Sequence, residues 1–314
     1  MIQAIDLRNI TTQKAGLTIL KTLAYFDIFD YPLYEKEIKN FLGCSVNDPV
    51  FTLVIQRLVS DEIIFKLGEL YSLQDDWQKA DKRLQGNYRA QKLFPQAIRI
   101  GAFLYKFPYV RAVGISGSLS KNYADEKADF DFFIITKSNR LWIARTILHL
   151  FKKFTFLVGK QNLYCMNYFV DEEALKIKEK NIYTATEILT LFPVAGYATI
   201  NEFLRINKWV TEWLPAYVPD QRLKISEKGS PLKKVTEWIF DNKTGNRIDD
   251  LFFKWTTRRW KKKEKMGRKN SKGWVMNLLT NKHFSKSNPE AFQEKIVESY
   301  ETKVEELRTR WLKM

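Results

Sequence analysis

The chain of 314 residues contains only two cysteines, Cys44 and Cys165, and two histidines, His149 and His283. The cysteines fall in separate predicted elements and make no metal-ligand spacing, so the sequence offers neither a disulfide framework nor a thiolate zinc site. Buried free thiols in a reducing cytoplasm are the expectation. Two histidines leave little material for zinc or Ser-His-Asp chemistry, and His149 reads as a packed helix residue. No uncharged apolar run approaches about 18 residues, so no membrane span is expected. The first residues, MIQAIDLRNITTQK, lack the apolar segment of a cleavable signal. Internal repeats and low-complexity segments are also missing.

What is present is a chain rich enough in apolar (45%) and aromatic (14%) residues to fold into two or three domains. Its net charge of +16 is uneven. Residues 1–76 carry 7 Lys/Arg against 11 Asp/Glu, a balance of −4, which leaves +20 for the remainder. That asymmetry points the central and C-terminal parts toward polyanionic partners.

The most informative stretch is 111–136, RAVGISGSLSKNYADEKADFDFFIIT. Val113 and Ile115 belong to a predicted strand ending at Gly117 and Ser118. After ten further residues, Asp129-Phe130-Asp131-Phe132 opens a second strand. Side chains two apart on a strand share a face, so Asp129 and Asp131 point the same way. Paired carboxylates repel unless a cation lies between them, and a hard divalent ion, Mg²⁺ or Mn²⁺, is the expected one. Gly117 permits a tight turn where a ligand approaches the backbone, and Ser118 adds a hydroxyl and an N–H for a phosphate. Lys121 is either a cation for a triphosphate or a solvated loop lysine.

Gly-Ser, about ten residues, then Asp-apolar-Asp-apolar resembles the signature of the polymerase-β-like nucleotidyltransferase superfamily, over roughly residues 108–170. The resemblance implies an α+β fold with a palm-like mixed sheet. It implies Mg²⁺ (or Mn²⁺) on Asp129 and Asp131 as catalytic and metal residues, and an NTP, ATP first among them, held by Gly117, Ser118 and Lys121. NMP would then pass to a hydroxyl acceptor. Active members usually carry a third carboxylate on a neighbouring strand. The matching strand here, 162–170, contains no acid; Asn167 lies mid-strand, and Asp171 at its end is a ligand or a turn residue. Glu187 follows Thr184 by three residues and reads as its capping-box partner.

The expected organisation is a winged-helix-like module over 1–74, a palm with leading helices over 75–180, and a basic helical region over 181–314. In the first, helices over 17–28, 33–42 and 49–60 precede strands over 63–67 and 70–73. Its third helix offers only Gln56 and Arg57 to a DNA groove, so a protein partner is expected there. Helical sequence over 75–106 is broken at Pro95, a 139–154 helix is expected on the back of the sheet with a phosphate as the alternative contact of Arg140 near its start, and one helix spans 196–213. This helix resembles the helical region that follows the palm in nucleotidyltransferases, which makes Asn207, Lys208 and Trp209 candidate base or acceptor contacts, with the core as the expected place of Trp209. Residues 254–272 hold ten Lys/Arg and one acid with Trp255 and Trp260 between them, a composition suited to single-stranded nucleic acid or to a solvated basic helix face. A charged, structural helix closes the chain at 289–311. The function classes are a template-independent nucleotidyltransferase acting on a nucleic-acid end, one acting on a protein or small molecule, or a catalytically degenerate nucleotide- or nucleic-acid-binding regulator.

Overall fold

A computed structural model describes residues 2–126, 129–157, 159, 163–218, 229–269, 273–288 and 291–313, with side chains from Thr12 onward. The protein is mixed α+β with two sheets. Helix α1 (Ile2–Asp27), β1 (Leu33–Tyr34), α2 (Glu35–Asn40), α3 (Asp48–Ser60), β2 (Phe65–Leu67) and β3 (Leu70–Ser72) form the N-terminal module. Its strands pair antiparallel in the order β1-β3-β2. Asn47 caps α3 by accepting from Val50 N–H, with Pro49 in the first turn where a missing donor costs nothing.

Helix α4 (Trp77–Leu104) is continuous through Pro95, contrary to the expected break. Proline at that position removes one bond to the Gln91 carbonyl, and Gln91 is exposed, so solvent can replace the lost donor. The chain then runs through β4 (Val110–Ile115), the short turn helix α5 (Gly117–Ser120), β5 (Asp131–Thr136), α6 (Leu141–Phe156) and β6 (Cys165–Asp171). Asn162, the first residue of the expected third strand, lies outside the described residues, as do 270–272 of the basic stretch and Pro289.

The region beyond residue 180 is not wholly helical. Helix α7 (Ile182–Leu189), β7 (Phe192–Ala195), α8 (Tyr197–Ile206), α9 (Val210–Trp213), α10 (Pro231–Phe240), α11 (Lys243–Lys265), β8 (Leu278–Thr280), β9 (Phe284–Ser287) and α12 (Phe292–Leu312) follow in order. Three of these strands complete the large sheet, whose order is β7-β4-β5-β6-β9-β8. Only β5 and β6 are parallel; the other neighbours are antiparallel. The expected 196–213 helix divides at Asn207. The side chain of that residue turns back to accept from Ile177 N–H and to donate to the carbonyls of Leu175 and Phe203.

Alternation along β5 sends Phe130, Phe132 and Ile134 into a core built with α4 and α6, including Trp142 and Leu148. Phe133 and Ile135 go to the opposite face, where Phe203 of α8 packs 4.9 Å from Phe133. That second core is continuous with the N-terminal module. Helix α12 closes it as expected: Trp311 lies against Gly16 and donates to the Gln13 carbonyl, and Lys303 pairs with Asp27 at 2.6 Å. Burying these apolar faces at about 25 cal/mol per Å² is the main force holding module and sheet together. No helix among the described residues is long and apolar enough to cross a membrane.

Candidate nucleotide and metal site

The site is built where β4 ends and β5 begins. Ser116 N–H donates to the Asp131 carbonyl at 2.9 Å, prolonging the β4–β5 ladder beyond Ile115↔Phe132. Gly117 then turns the chain with φ +69°, the left-handed region that disfavours any side chain. The following loop is fastened from outside. Ala124 N–H donates to the Gly86 carbonyl, Arg89 of α4 donates to the Ala124 carbonyl, and the Tyr31 hydroxyl donates to the Lys121 carbonyl. Tyr31 itself stacks under the buried guanidinium of Arg83, 3.8 Å from its ring, and Arg83 binds Glu37 at 2.6 Å. The N-terminal module therefore touches the loop that carries the Gly-Ser turn.

Asp129 and Asp131 are partly exposed, while Phe130 and Phe132 between and after them are buried. That is the alternation the sequence implied, and both carboxylates act on the Cys165 thiol. Burial, then the charge of Asp131, then more weakly that of Asp129, push this thiol up to about 12. Asp131 is also pressed against the turn: a Cβ added to Gly117 would lie 2.5 Å from Asp131 Oδ2. Only glycine permits this approach. Asp131 Oδ1 accepts from Asn167 Nδ2 at 2.6 Å. Asn167 gains that position because the β5–β6 register slips there, with Phe132 opposite Met166 and Phe133 opposite Tyr168. The extra residue bulges and aims its side chain at the aspartate.

The acid that the sequence reading assigned to a capping box lies at this turn. Helix α7 is capped by Asn181, whose Oδ1 accepts from Thr184 N–H, so Thr184 is one turn inside the helix and does not cap it. Thr184 is buried and accepts from Gln293 of α12. Glu187 is thereby free to face the sheet. Its Oε1 pairs with Lys121 Nζ at 2.6 Å, and its Oε2 lies 3.4 Å from Gly117 N–H. Lys121 also donates to the Gly117 carbonyl at 3.0 Å. Tyr183, one helical turn before Glu187, has its hydroxyl pKa raised by burial first, then by Glu187, Tyr25 and Asp131.

Other candidates are elsewhere. Asp171 pairs with Thr136 at the far end of β5, five residues from Asp131, or about 16 Å along the strand. It is fully buried and accepts from Asn139 N–H, Glu173 N–H and His283, so it is a turn residue and no ligand of this site. Arg140 is buried too, donating to the Phe240 and Asn242 carbonyls and to Asn246, and cannot reach a phosphate here. Asn207 and Trp209 are core residues, with Trp209 Nε1 donating to Asn207 Oδ1; Lys208 is exposed. Both thiols are free and half-buried, less enclosed than expected. Among the described residues no three His, Cys, Asp or Glu side chains are grouped to hold a metal ion.

The basic stretch occupies the second half of α11, which packs on α6. Asp249 accepts from Trp142 N–H and Ile143 N–H, capping α6 from the second turn of α11, and with Arg140 reaching Asn246 and Trp142 packing on Phe253 the two helices run the same way. This brings Arg259, Lys263 and Arg268 near Arg145 and Lys153, and together they lower the Lys263 pKa after burial, its largest cause. Lys152 of the same group also acts on Cys165. The cationic cluster thus lies at the Asp131 end of the sheet, on the face opposite the carboxylates. Trp255 is exposed and Trp260 half-exposed beside it. Comparison of the chain with family models, curated proteins and solved structures found no match.

Proposed function

We propose that the chain is a nucleotidyltransferase that moves NMP from an NTP, with ATP as the first candidate, to a hydroxyl acceptor on a nucleic-acid end. The observation that carries this reading is the contact of the Gly117 turn with the Asp131 carboxylate, with Glu187 3.4 Å from the Gly117 N–H. The donor set suits Mg²⁺ or Mn²⁺. Magnesium keeps several waters and is held by one or two carboxylates together with substrate phosphates, so Asp129 and Asp131 suffice without a third protein ligand. When bound, such an ion neutralises charge on the transferring phosphoryl group. The chain's own residues do the rest. Gly117 and Ser118 offer backbone N–H groups and a hydroxyl to the triphosphate. Lys121 supplies a positive charge once it leaves Glu187, and Asn167 fixes the rotamer of Asp131. We assign Glu187, once released from Lys121, to accept a proton from the attacking hydroxyl, because its carboxylate already reaches the Gly117 turn. It takes the role that β6, with Asn167, does not fill. The cationic end of α6 and α11 favours a polyanionic acceptor. The order of elements in the N-terminal module fits a winged helix. Its third helix has Arg57 engaged with Asp61 and lying over Trp311, which fits protein contact better than base reading.

A second reading rests on the Lys121–Glu187 pair and on Asn167. In it the site binds nucleotide without turnover, and the N-terminal module reports occupancy through Tyr31 and Lys121. Incubation with each α-labelled NTP and Mg²⁺ or Mn²⁺, with RNA, DNA or protein acceptors, separates the two. Label transfer that disappears in Asp129→Ala/Asp131→Ala supports the enzyme. Saturable nucleotide binding with no transfer under any condition supports the regulator, and absence of both overturns the reading.

A further inference from the structure

Between the N-terminal module and the helices that flank the sheet lies a cavity of about 600 Å³. The space opens to solvent along the side where Lys14, Lys21, Gly43 and Glu212 are exposed, and it would hold on the order of twenty waters. Its size falls within the range of small-molecule sites. Its walls come from α1, the segment after α2, α7, α9 and α12. The wall is strongly aromatic, with Phe26, Phe41, Trp213 and Tyr300 contributing.

Two features give the cavity a polarity. On one wall the Tyr25 hydroxyl is buried, with the Thr186 side chain as a partner outside ideal hydrogen-bond geometry. A buried donor held this weakly is better satisfied by an acceptor on a ligand. Lys14 and Lys21 are exposed and also line the cavity. Seven residues apart on α1, they share a face, separated by about 10 Å. Glu212 is the acid among the lining residues, so two cations outweigh one carboxylate. Tyr25 itself titrates well above its usual range, because of burial first and then the charge of Glu187. A second negative charge is therefore disfavoured at the Tyr25 end and favoured near the lysines.

We propose that this cavity binds a free small aromatic monoanion, with its ring among the aromatic side chains, its charge at Lys14 and Lys21, and a hydrogen-bond acceptor toward Tyr25. The site is separate from the Gly117 turn, and its test does not require nucleotide transfer. Cys44 provides the reporter: its thiol lines the cavity 3.3 Å from Thr18 Oγ1, whereas Cys165 is remote beside Asp131.

The experiment is titration of the full chain with 2-naphthoate by calorimetry, with iodoacetamide alkylation of each cysteine read by mass spectrometry. Saturable one-to-one binding is expected, together with slower alkylation of Cys44 and unchanged alkylation of Cys165. The neutral 2-naphthamide and the Lys14→Ala/Lys21→Ala variant should each weaken binding about tenfold, equivalent to about 1.4 kcal/mol. Thr18→Trp, at a half-exposed position on the wall, should abolish it. No saturation up to about 1 mM overturns the proposal, as does naphthoate affinity equal in the wild-type protein and the double-alanine variant, or Cys44 reactivity unaffected at saturation.

Discussion

Replacement of Gly117 by alanine probes the contact on which the candidate site depends. The substitution has two costs. The first is conformational: φ is +69° at Gly117, and a Cβ in the left-handed region costs about 1–2 kcal/mol. The second is steric, since the new methyl would lie 2.5 Å from Oδ2, 3.2 Å from Cγ and 3.3 Å from Cβ of Asp131. Gly68 isolates the first cost. Its φ is +66°, and a Cβ there would meet nothing within 4 Å. Gly68→Ala should therefore show the backbone cost alone. Gly117→Ala should exceed it by roughly 1–3 kcal/mol, the usual penalty of overpacking. Asp131 can escape the clash only by rotating away, which breaks its 2.6 Å bond from Asn167; a bond to a charged group contributes about 1.5–3 kcal/mol. Either route gives the same range. Urea unfolding of the two variants, compared at a common slope, measures the difference. Transfer of α-labelled NMP should fall by at least about 100-fold in Gly117→Ala and remain unchanged in Gly68→Ala. Equal stability losses within about 0.5 kcal/mol, with transfer intact, would refute the placement of Asp131 against the turn.

Three further outcomes follow from the same geometry. Glu187→Gln keeps the shape of α7 and an acceptor for Lys121 but loses the ion pair, so circular dichroism should show a folded, somewhat less stable chain while transfer falls about 100-fold, the lower range for a general base; full activity in this variant would remove Glu187 from the mechanism. His149 is half-buried with its Nε2 shielded from solvent and unpaired, and its pKa lies well below the usual value because of burial first and then Arg145, Lys152, Lys153 and Lys263. Its stabilising effect is complete above the unfolded-state value near 6.5 and is lost as pH falls toward the depressed folded value, at up to about 1.4 kcal/mol per pH unit. The loss of stability between pH 7 and 5 should be shallower in His149→Phe than in the wild-type chain, and parallel curves would contradict this. Finally, Lys261→Ala/Lys262→Ala/Lys263→Ala should lower the salt dependence of single-stranded RNA binding by about 2 in log–log slope, at roughly 0.7 per lost phosphate contact. Fluorescence anisotropy across salt concentrations measures it, and an unchanged slope would place the acceptor path elsewhere.

How much of this was legible in the sequence depended on whether the signal was local. The alternation of Asp129-Phe130-Asp131-Phe132 was enough to bury the two phenylalanines and leave the aspartates partly exposed, although the strand begins only at Asp131, and Gly117 was enough to require a turn. The helix at 49–60 announced itself through Asn47 and Pro49, and the closing helix through its charged periodicity. The strands β7, β8 and β9 were missed because each is three or four residues long and depends on partners distant in sequence. Pro193 in β7 reads as an interruption, yet β7 is an edge strand, where a missing donor faces away from the ladder. Pro95 misled in the same way, since one absent hydrogen bond does not end a 28-residue helix anchored along its length.

Glu187 shows why a site can be hidden from local reading even when each of its residues is in view. Thr184 followed by glutamate three residues on is a valid capping box, and the alternative, Asn181 as the cap, differs only in where the helix begins. That three-residue difference decides the chemistry. With Asn181 as cap, Thr184 faces inward among Ile182, Ala185 and Ile188, and Glu187 emerges on the side that meets the Gly117 turn. The burial of Thr184 was the available signal, because a capping threonine flanked by apolar residues on its own face is poorly placed for solvent. Asn167 makes the complementary point. As a strand residue it offers only a neutral amide, but one slipped register turns that amide toward Asp131. The β6 strand therefore orients a carboxylate it does not supply, while a helix outside the motif brings in the acid. On the proposed reading, a search for the third carboxylate confined to the neighbouring strand fails because the acid beside the turn comes from α7.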